Sequence, residues 1–467
     1  MSPTIDILKL LQKSTAAYVY IVGGFVRDLL RGKTNNDLDI VVLGLPVKDL
    51  KSFLSKYGVF KEVTLAQTNE SLRTAIYLFK AHNDDLTAQI SFPRRGKLEI
   101  AHHENTLKQD VKVRDFTINS LYLPIDYKSV TDVIDLSGGV VDIQRKIIKA
   151  NGDPYAVIEA SPIRMLRAVS LACRSGYVIH KGLKIAISER TALINKCPPD
   201  TIRLELNKIL LSENPSRGFK LLYNLGLLKV VMPQLHACYG VTQSSKHHKY
   251  DVFGHCIKAC DHTAANLTLR LAALLHDIGK PRARRIHENG NITFHNHEII
   301  GAGLAETLLS KLNYDINLKK QVCDLIRLHM YYYTHDFTDA AVRRFVVSIG
   351  ITEEDIDNIS MYPLFQLRMA DRLGNGFKKQ AVTPRQLELE ARIVKCFGDR
   401  NTFTVKELAI NGSDIMRFCS VSPGPLVGKT LNYLLDKVLE DPSVNNKEDL
   451  INLAWNKVKG GRRLDCE

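Results

Sequence analysis

The chain has 467 residues, of which 45% are hydrophobic and 24% charged, with 28 glycines and 16 prolines. This length and composition exclude a peptide or a single small module, and they differ from those of disordered, collagen-like and coiled-coil proteins. Lysine and arginine (64) exceed aspartate and glutamate (50) by 14, an excess that indicates a polyanionic partner such as nucleic acid.

Hydrophobic periodicity predicts alternating helices and strands over the first third of the chain. The predicted elements in order are a helix at 3–14, a strand at 18–22, a glycine turn at 23–24, a helix at 25–32 and strands at 37–43, 72–79 and 86–92. The first segment is therefore predicted to be a small mixed β-sheet with helices.

Helical periodicity takes over from about residue 153 and continues almost to the end of the chain. Its clearest runs cover residues 162–176, 202–211, 217–228 and 267–279. We therefore expect an α+β chain in which all-α segments follow a small mixed sheet. Stretches rich in polar, proline or glycine residues predict a division into residues 1–145, 146–240, 241–380 and 381–467.

The nine cysteines are scattered along the chain, and no two of them form a CxxC pair. This pattern predicts free thiols in a reducing compartment rather than a zinc clip or a disulfide framework. The first residues lack the basic and apolar regions of a signal peptide, and no run of about 18 apolar residues occurs. We therefore expect a cytoplasmic protein without a membrane partner.

Two glycines and two aspartates carry the strongest chemical signal in the chain. Gly23 and Gly24 separate a predicted strand from a predicted helix, where backbone N–H groups and the helix dipole can hold phosphate oxygens. Asp37 and Asp39 alternate with apolar residues in the next strand, so their carboxylates point to one face and can share divalent cations. With two metals, one activates a primer hydroxyl and the other neutralises a departing pyrophosphate. The alternative interpretation is structural, because a DxD sequence at the start of a strand is also typical of a solvent-exposed sheet edge.

The segment YIVGGFVRDLLRGKTNNDLDIVV joins the glycine turn to the DxD strand, and in this it resembles the class II tRNA nucleotidyltransferases and bacterial poly(A) polymerases. Three further stretches resemble motifs of the same superfamily in the same order. They are KVRDFTINSLYL at 112–123, IDLSGGVVDIQRKIIKANGDP at 134–154 and PIRMLRAVSLACRSGY at 162–177. The resemblance covers roughly residues 18–180, and the motifs are jointly specific.

The resemblance implies a nucleotidyltransferase head over residues 1–145 and a helical neck over 146–240 that binds the nucleobase and RNA. Asp37 and Asp39 would be the catalytic residues and the Mg²⁺ ligands. The implied nucleotide-binding residues are Gly23, Gly24, Arg27, Asp28, Arg114, Asp115, Asn119, Arg164 and Arg167. Asp115 would accept hydrogen bonds from ribose hydroxyls, and Arg164 with a carboxylate on its helix would read C and A.

The implied activity is template-independent addition or repair of the 3′-terminal CCA of tRNA, with CTP, ATP and Mg²⁺. Addition of CC only, addition of A only and poly(A) synthesis stay open as close alternatives. This chain departs from the family pattern where a base would be read, because Ala160 and Ser161 replace a Glu-Asp pair. Glu159 would supply the missing carboxylate only if the motif were shifted by one residue. Val113 replaces the first arginine of the RRD motif, and Gln89 stands where many polymerases of the superfamily place a third carboxylate.

A second constellation combines histidines with aspartates in the helical region. His276 and Asp277 end an apolar helix, His255 lies on the helix predicted before it, and Asp371 is the candidate carboxylate from a third helix. Imidazole and carboxylate groups in this combination suit a divalent transition metal. A single buried histidine is more often an ordinary core residue, but an adjacent His-Asp pair with an upstream His and a downstream Asp is hard to explain in that way.

The order H…HD…D resembles the HD phosphohydrolase domain, which is implied for residues 241–380, with a helical tail domain at 381–467. The implied metal ligands are His255, His276, Asp277 and Asp371, with His297, His329 and Lys280 as candidates for a second metal or a phosphate. The implied chemistry is attack of metal-activated water on a phosphoester. An alternative function is an HD phosphohydrolase whose nucleotidyltransferase-like head mainly binds RNA.

Overall fold

Eleven strand segments are present in the computed structural model, which describes residues 2–63, 76–92, 103–243, 249–399 and 403–462. The strands are β1 (Tyr18–Val22), β2 (Leu38–Leu43), β3 (Gly58–Val63), β4 (Ile76–Ala81), β5 (Thr87–Ser91), β6 (Leu121–Pro124), β7 (Ile134–Asp135), β8 (Ile147–Ile148), β9 (Val178–Ile179), β10 (Arg285–Ile286) and β11 (Ile292–Thr293). The first seven form one sheet, and the two-residue strands β8 to β11 form two small pairs, β8 with β9 and β10 with β11.

Helices flank the sheet and make up most of the chain after it. Those of the first half are α1 (Pro3–Ser14), α2 (Gly24–Leu30), α3 (Val47–Leu54), α4 (His103–Val113), α5 (Gly139–Gln144), α6 (Pro154–Ala160), α7 (Arg164–Ser175), α8 (Lys181–Glu189), α9 (Pro199–Leu210), α10 (Pro215–Asn224), α11 (Leu227–Val231) and α12 (Pro233–His236). Those of the second half are α13 (Val252–Asp261), α14 (Leu267–Leu275), α15 (Lys280–Ala283), α16 (His297–Lys311), α17 (Ile316–Leu328), α18 (Asp339–Ile349), α19 (Pro363–Gly374), α20 (Pro384–Gly398), α21 (Gly412–Cys419), α22 (Pro425–Glu440) and α23 (Lys447–Arg462).

The large sheet has the order β3-β4-β5-β2-β1-β6-β7. Strands β2 and β5 run parallel, and the other neighbouring strands run antiparallel. This mixed sheet followed by helices confirms the predicted α+β fold class. Strands β1 and β2 are central, and both of their faces are largely buried, as their continuous apolar runs predict.

Helix α4 packs on one face of the sheet and builds a core with alternate residues of three strands. This core consists of Tyr20, Val22, Val41, Leu43, Leu107, Val111 and Tyr122, all of them buried. The rings of Tyr20 and Tyr122 meet edge to face, with centroids 6.3 Å apart. Burial of each such side chain stabilises the fold by about 1.5–3 kcal/mol, which fixes the central strands that carry the DxD sequence.

The helices and strands predicted from periodicity correspond to observed elements, although one of them is divided in the structure and another lies only partly within the described residues. The run of helical periodicity over 217–228 is helical in the structure but divided, because α10 ends at Asn224 and α11 begins at Leu227. Gly226 lies between them with a φ of +75°, a left-handed conformation that interrupts helical hydrogen bonding. The strand predicted over 72–79 corresponds to β4, although residues 72–75 lie outside the described residues.

Helices α13 and α19 pack closely in the helical region. A Cβ atom at Gly374 of α19 would lie 2.7 Å from the backbone nitrogen of Ala259 in α13, so the two helices touch through their backbones. His255 precedes this crossing by about one turn on α13, and Asp371 precedes it by about one turn on α19. The close approach therefore brings a histidine and an aspartate of two distant chain segments together.

The chain divides into two compact units. The first comprises Met1–Val241, Ala265–Leu267 and Glu306–Lys319, and the second comprises Thr242–Ala264, Thr268–Ala305 and Lys320–Glu467. The division into four domains stays a prediction. The eight cysteines that the structure describes are free thiols, and every helix in the described ranges is too short or too polar to span a bilayer.

Candidate functional site

The glycine turn and the second aspartate meet at one point of the sheet. Val22, the last residue of β1, pairs with Asp39 of β2, so Gly23 follows directly beside this aspartate. Gly23 has a φ of +74°, and a Cβ atom there would lie 2.7 Å from Oδ2 of Asp39. Glycine allows both the left-handed backbone and this close approach. On the other side of β2, Gln89 of β5 is the register partner of Asp39.

The two aspartates form an acidic pair at the start of β2. Asp37 is exposed and lies one residue before the strand, whereas Asp39 is half-buried. Burial and the charge of Asp37 raise the pKa of Asp39 to about 6, although Arg114 and Arg167 act in the opposite direction. A carboxylate in this environment is stabilised by a divalent cation, and carboxylate oxygens are the ligands that Mg²⁺ prefers. The donor set therefore fits the predicted metal.

Arg27 and Asp28, predicted to line the triphosphate pocket, are paired with each other. The carboxylate of Asp28 accepts hydrogen bonds from Nε and Nη2 of Arg27 at 3.0 and 2.7 Å, from Arg31 at 3.1 Å and from Asn35 at 2.8 Å. Burial alone would raise the pKa of Asp28, but the hydrogen bonds and charge of Arg27 hold it below its usual range. Nη1 of Arg27 donates to Oδ1 of Asn119 at 2.8 Å. This network fixes α2 behind the glycine turn.

Arg114 and Asp115 have separate partners. Nε of Arg114 donates to Oδ2 of Asp110 at 2.7 Å and to the Tyr122 hydroxyl at 3.0 Å, and that hydroxyl donates to the same Asp110 oxygen. Nη1 of Arg167 donates to Oδ2 of Asp115 at 2.8 Å. Burial alone would raise the pKa of Asp115, but the charge of Arg167 lowers it to about 2. Asp115 is therefore ionised and oriented as an acceptor.

The residues predicted to read the nucleobase are held by the protein itself. Arg164 is buried, and its Nη1 and Nη2 donate to the carbonyl oxygens of Val157 and Val113 at 3.0 and 2.5 Å. Glu159, the carboxylate nearest in sequence, accepts a hydrogen bond from Nε of Arg190 at 3.0 Å. This geometry gives no support to Glu159 as the missing partner of Arg164.

The predicted histidine-aspartate cluster comes together in the second unit. His255 lies on α13, Asp371 on α19, and His276 and Asp277 directly follow α14. Nε2 of His255 is 3.0 Å from Nε2 of His276 and 3.0 Å from Oδ1 of Asp371. Nε2 of His276 is 3.3 Å from Oδ2 of Asp277. The ligand atoms of His255, His276 and Asp371 lie within 4.8 Å of one another, and so do those of His276, Asp277 and His329, so either set of three could hold a metal ion.

The second histidine pair, His297 and His329, lies beside the other carboxylate oxygen of Asp277. Nε2 of His297 lies 3.1 Å from Oδ1 of Asp277, and Nε2 of His329 lies 3.8 Å from the same oxygen. The two Nε2 atoms of this pair are 3.3 Å apart. Asp277 therefore stands between two pairs of histidines, and each of its carboxylate oxygens lies beside one pair.

Three of the four histidines have their ring orientation fixed by the backbone. In each, Nδ1 lies 2.7–2.8 Å from the carbonyl oxygen of the third residue before it. The pairs are His276 with Ala273, His297 with Phe294 and His329 with Ile326. Because a carbonyl only accepts, Nδ1 donates, and the Nε2 lone pair of the neutral ring is left to bind a metal. The donor set therefore fits a divalent transition metal.

Lys280 lies against the cluster and is buried. Its Nζ is 2.6 Å from Oδ2 of Asp277 and donates to Oε1 of Gln243 at 2.7 Å. Burial alone would raise the pKa of Asp277, but the charges of His276 and Lys280 hold it well below its usual range. The lysine thus faces the same oxygen as the first histidine pair.

Three segments of the chain match described protein families. Residues 19–149 match the "Poly A polymerase head domain", residues 176–239 the "Probable RNA and SrmB- binding site of polymerase A", and residues 300–454 "tRNA nucleotidyltransferase domain 2". The "Multifunctional CCA protein" of Herminiimonas arsenicoxydans is 30% identical over 322 residues, covering 63% of this chain and 69% of that protein. The chain belongs to the tRNA nucleotidyltransferase and poly(A) polymerase family. The "CC-adding tRNA nucleotidyltransferase" of Thermus thermophilus is 28% identical over 468 residues, covering 95% and 94% of the two chains.

A solved structure shows the same fold for this family member. The crystal structure of the Bacillus stearothermophilus CCA-adding enzyme in complex with CTP aligns over 100% of both chains, with a TM-score of 0.64 and 19% sequence identity. The segment matching the head domain of the family contains Asp37, Asp39 and Arg114, and the third matched segment contains His329 and Asp371.

Sequence reasoning missed the buried partners of Arg114 in this family member. Asp110 and Tyr122 are 1% and 0% exposed, and both bond the guanidinium of Arg114. Asp110 lies in the last turn of α4 and Arg114 directly follows that helix, so their spacing of four residues was a usable signal for this ion pair. Tyr122 lies on β6, which the hydrophobic pattern did not predict, so its contribution had no signal in the sequence.

Proposed function

We propose that the chain adds or repairs the 3′-terminal CCA of tRNA, or its CC or A part, from CTP and ATP without a nucleic-acid template. The observation that carries this proposal is the glycine turn against Asp39 of β2, with Asp37 one residue before the same strand. The relatives named as CCA-adding and CC-adding proteins support the choice of tRNA as primer. The free thiols of the described cysteines fit an enzyme of the reducing cytoplasm.

The residues around Asp39 have defined tasks in this proposal. Asp37 and Asp39 would hold Mg²⁺, which supplies activation of the primer 3′-hydroxyl and charge neutralisation on the departing pyrophosphate. Gly23 keeps the backbone close to Asp39, where the neighbouring backbone N–H groups can approach the phosphates. Arg27, through Asp28 and Asn119, keeps this turn in place. The ionised Asp115 is available as an acceptor for ribose hydroxyls.

Three tRNA transcripts test the proposal and define the product. One ends at the base before CCA, the second after the first C and the third after CC, and each is incubated with Mg²⁺ and one labelled nucleotide at a time. A CCA-adding enzyme extends the first two with CTP and the third with ATP. A CC-adding enzyme fails on the third, and an A-adding enzyme extends only the third. If none of the transcripts is extended, the proposal is wrong.

Replacement of Gly23 by alanine is expected to lower nucleotide addition by about 100-fold, because the new methyl group displaces the Asp39 carboxylate by the order of 1 Å. The left-handed backbone adds a strain of about 1–2 kcal/mol. The measurement is the single-turnover rate of CTP or ATP incorporation.

The matched control for Gly23→Ala is Gly138→Ala. Gly138 has a similar φ of +77°, and a Cβ atom there meets nothing within 4 Å. We expect it to lower stability by a comparable amount and to keep the transfer rate within about threefold of wild type. Equal losses of transfer in both variants would show that backbone strain alone, and not the approach to Asp39, matters.

Replacement of Ser161 by aspartate is expected to sharpen the selection of CTP and ATP over UTP and GTP. A carboxylate accepts from the amino groups of C and A, whereas a hydroxyl both donates and accepts. One matched contact contributes about 1–3 kcal/mol, so discrimination should rise roughly 5- to 150-fold. Single-turnover incorporation of all four nucleotides measures it, with Glu159→Ala as the comparison. Tight selection of C and A that neither substitution changes would place base reading at other residues.

We also propose that the second unit is a metal-dependent phosphohydrolase. The supporting observation is Asp277 between two histidine pairs whose Nε2 atoms face it. His255, His276, Asp277 and Asp371 would hold one divalent transition metal, and His297 and His329 would hold a second metal or contact a phosphate. The metal would supply activated water for attack on a phosphoester.

A further inference from the structure

A row of side chains crosses the sheet from the proposed Mg²⁺ site to a buried tyrosine. Asp39 of β2 pairs with Val22 of β1, and Val22 pairs in turn with Tyr122 of β6. Residues directly opposite each other on neighbouring strands place their side chains on the same face of the sheet. Neighbouring strands lie about 4.8 Å apart, so two strand spacings, roughly 10 Å, separate the backbones of Asp39 and Tyr122. Tyr122 therefore lies on the face of the sheet that carries the Asp39 carboxylate.

Arg114 lies over this row. It directly follows α4, the helix that packs on the same face, and its guanidinium carbon is 5.1 Å from the centre of the Tyr122 ring. Burial raises the pKa of Asp39 to about 6, and among the surrounding charges that of Arg114 opposes this rise most strongly. Because the interaction between two charges weakens with distance, the guanidinium is also close to Asp39. Arg114 therefore connects the tyrosine end of the row with the metal-ligand end.

Two buried groups hold Arg114 by a single nitrogen. Asp110 and Tyr122 each accept a hydrogen bond from Nε, and the Tyr122 hydroxyl donates to Asp110, so the three bonds close a triangle. Because a guanidinium is planar, these bonds and the contact with the tyrosine ring fix the orientation of the whole group. Within the described ranges, every hydrogen bond that the side chain of Arg114 makes uses Nε. Nη1 and Nη2 are therefore left to bind a ligand.

The arginine pair of the family motif is reduced to one cation in this chain. Val113 replaces the first arginine of the motif, and Arg114 keeps the second. The backbone before Arg114 is also fixed, because the carbonyl oxygen of Val113 accepts a hydrogen bond from Nη2 of the buried Arg164. The orientation of Arg114 therefore matters more here than in a motif with two arginines, since no second arginine of the motif can compensate for its displacement.

We infer that Asp110 and Tyr122 are positioning residues for nucleotide addition, and that they hold Arg114 so that Nη1 and Nη2 meet phosphate oxygens of the incoming nucleotide. The inference rests on the proposed nucleotidyltransferase function. A guanidinium binds phosphate through two parallel N–H groups, and this bidentate geometry is lost when its plane rotates. The Tyr122 hydroxyl accepts from Nε and donates to Asp110 at the same time, which a phenylalanine ring cannot do. Both residues are buried, so they act through Arg114 and not by contact with the nucleotide.

The test measures single-turnover addition of CTP or ATP to the three tRNA transcripts over a range of nucleotide concentrations, with the full-length protein and Mg²⁺. Tyr122→Phe keeps the aromatic ring beside the guanidinium and removes the hydroxyl. It should raise the half-saturating nucleotide concentration about fivefold or more and keep the maximal rate within about threefold of wild type, because contacts to the phosphates form before the transition state and persist in it. Asp110→Asn should raise the same concentration.

A double-mutant cycle separates a positioning role from an independent structural role. In the background of Arg114→Ala, the further change Tyr122→Phe should alter the half-saturating concentration by less than about twofold, because the effects of residues that act through one another are not additive. If Arg114→Ala does not fold, Arg114→Lys provides the background, since it keeps a cation beside the buried Asp110. Equal increases caused by Tyr122→Phe in wild type and in the Arg114 variant would overturn the inference.

The matched control is Tyr20→Phe, which removes a hydroxyl from the same core. Tyr20 is also buried, and its ring meets that of Tyr122 edge to face. This variant should keep the half-saturating concentration within about twofold of wild type. An unchanged value in both Tyr122→Phe and Asp110→Asn, while the wild-type protein extends tRNA, would overturn the inference and leave the proposed function standing. Failure of the wild-type protein to extend any transcript would remove the proposed function and the inference with it.

Discussion

Replacement of Asp39 by alanine is expected to lower nucleotide addition to tRNA at least about 100-fold, since the substitution removes one of the two proposed Mg²⁺ ligands at the start of β2. The fold should persist, because Asp39 is half-buried and its carboxylate has a pKa that burial raises to about 6. Because burial disfavours the charged form of this carboxylate, its removal should not destabilise the sheet. The measurement is single-turnover incorporation of CTP or ATP, together with tRNA binding, which we expect to be retained.

Asp49→Ala is the control for this variant. Asp49 is an exposed carboxylate in the first turn of α3 and lies outside the proposed site. Its rate of transfer should equal that of wild type, and the melting temperatures of both variants should stay within about 4 °C of wild type. A wild-type rate in Asp39→Ala would contradict the assignment of β2 as the catalytic strand.

Replacement of both His276 and Asp277 by alanine is expected to abolish metal-dependent phosphoester hydrolysis and to leave nucleotide addition intact. Both residues belong to the second unit, whereas Asp37 and Asp39 belong to the first. The loss should be at least about 100-fold, because the cluster without them keeps too few ligands for a metal. Removal of divalent metal with a chelator should have the same effect on hydrolysis, and the metal should restore it.

A milder variant separates loss of the site from loss of the fold in this experiment. Asp277 is buried next to Lys280, so its removal leaves a buried cation without its carboxylate. Asp371→Asn keeps the volume of a partly exposed side chain that is proposed as a metal ligand, and it should lower hydrolysis with little change in melting temperature. Parallel loss of hydrolysis and nucleotide addition in a folded Asp371→Asn protein would contradict two separate sites.

The sequence was most informative where a motif combines short spacing with chemistry. The alternation of Asp37 and Asp39, the glycine turn and the order of the HD residues all lie within local segments or within a known order of motifs. Hydrophobic periodicity also predicted β1, β2 and α1 at their observed positions. These features depend on the period of the local backbone, which the sequence shows directly.

Contacts between distant segments could not be predicted in the same way. The bond between Arg27 and Asn119 spans 92 residues, and that between Arg164 and the Val113 carbonyl spans 51. Each decides whether an arginine has donors left for a ligand, and neither follows from spacing. The position of Asp277 between two histidine pairs likewise depends on where four separate segments meet in space.

The most direct test of CCA addition compares a tRNA lacking its 3′-terminal CCA with an unstructured single-stranded RNA of equal length. Each is incubated with Mg²⁺ and each of the four nucleotides, and the added residues are sequenced. We expect C, A or both to be added to the tRNA, at most three residues per molecule, and the unstructured RNA to be extended far more slowly. Long A tracts on either RNA would indicate a poly(A) polymerase. Binding of tRNA without any extension would show that the head is an RNA-binding module, and would contradict the account.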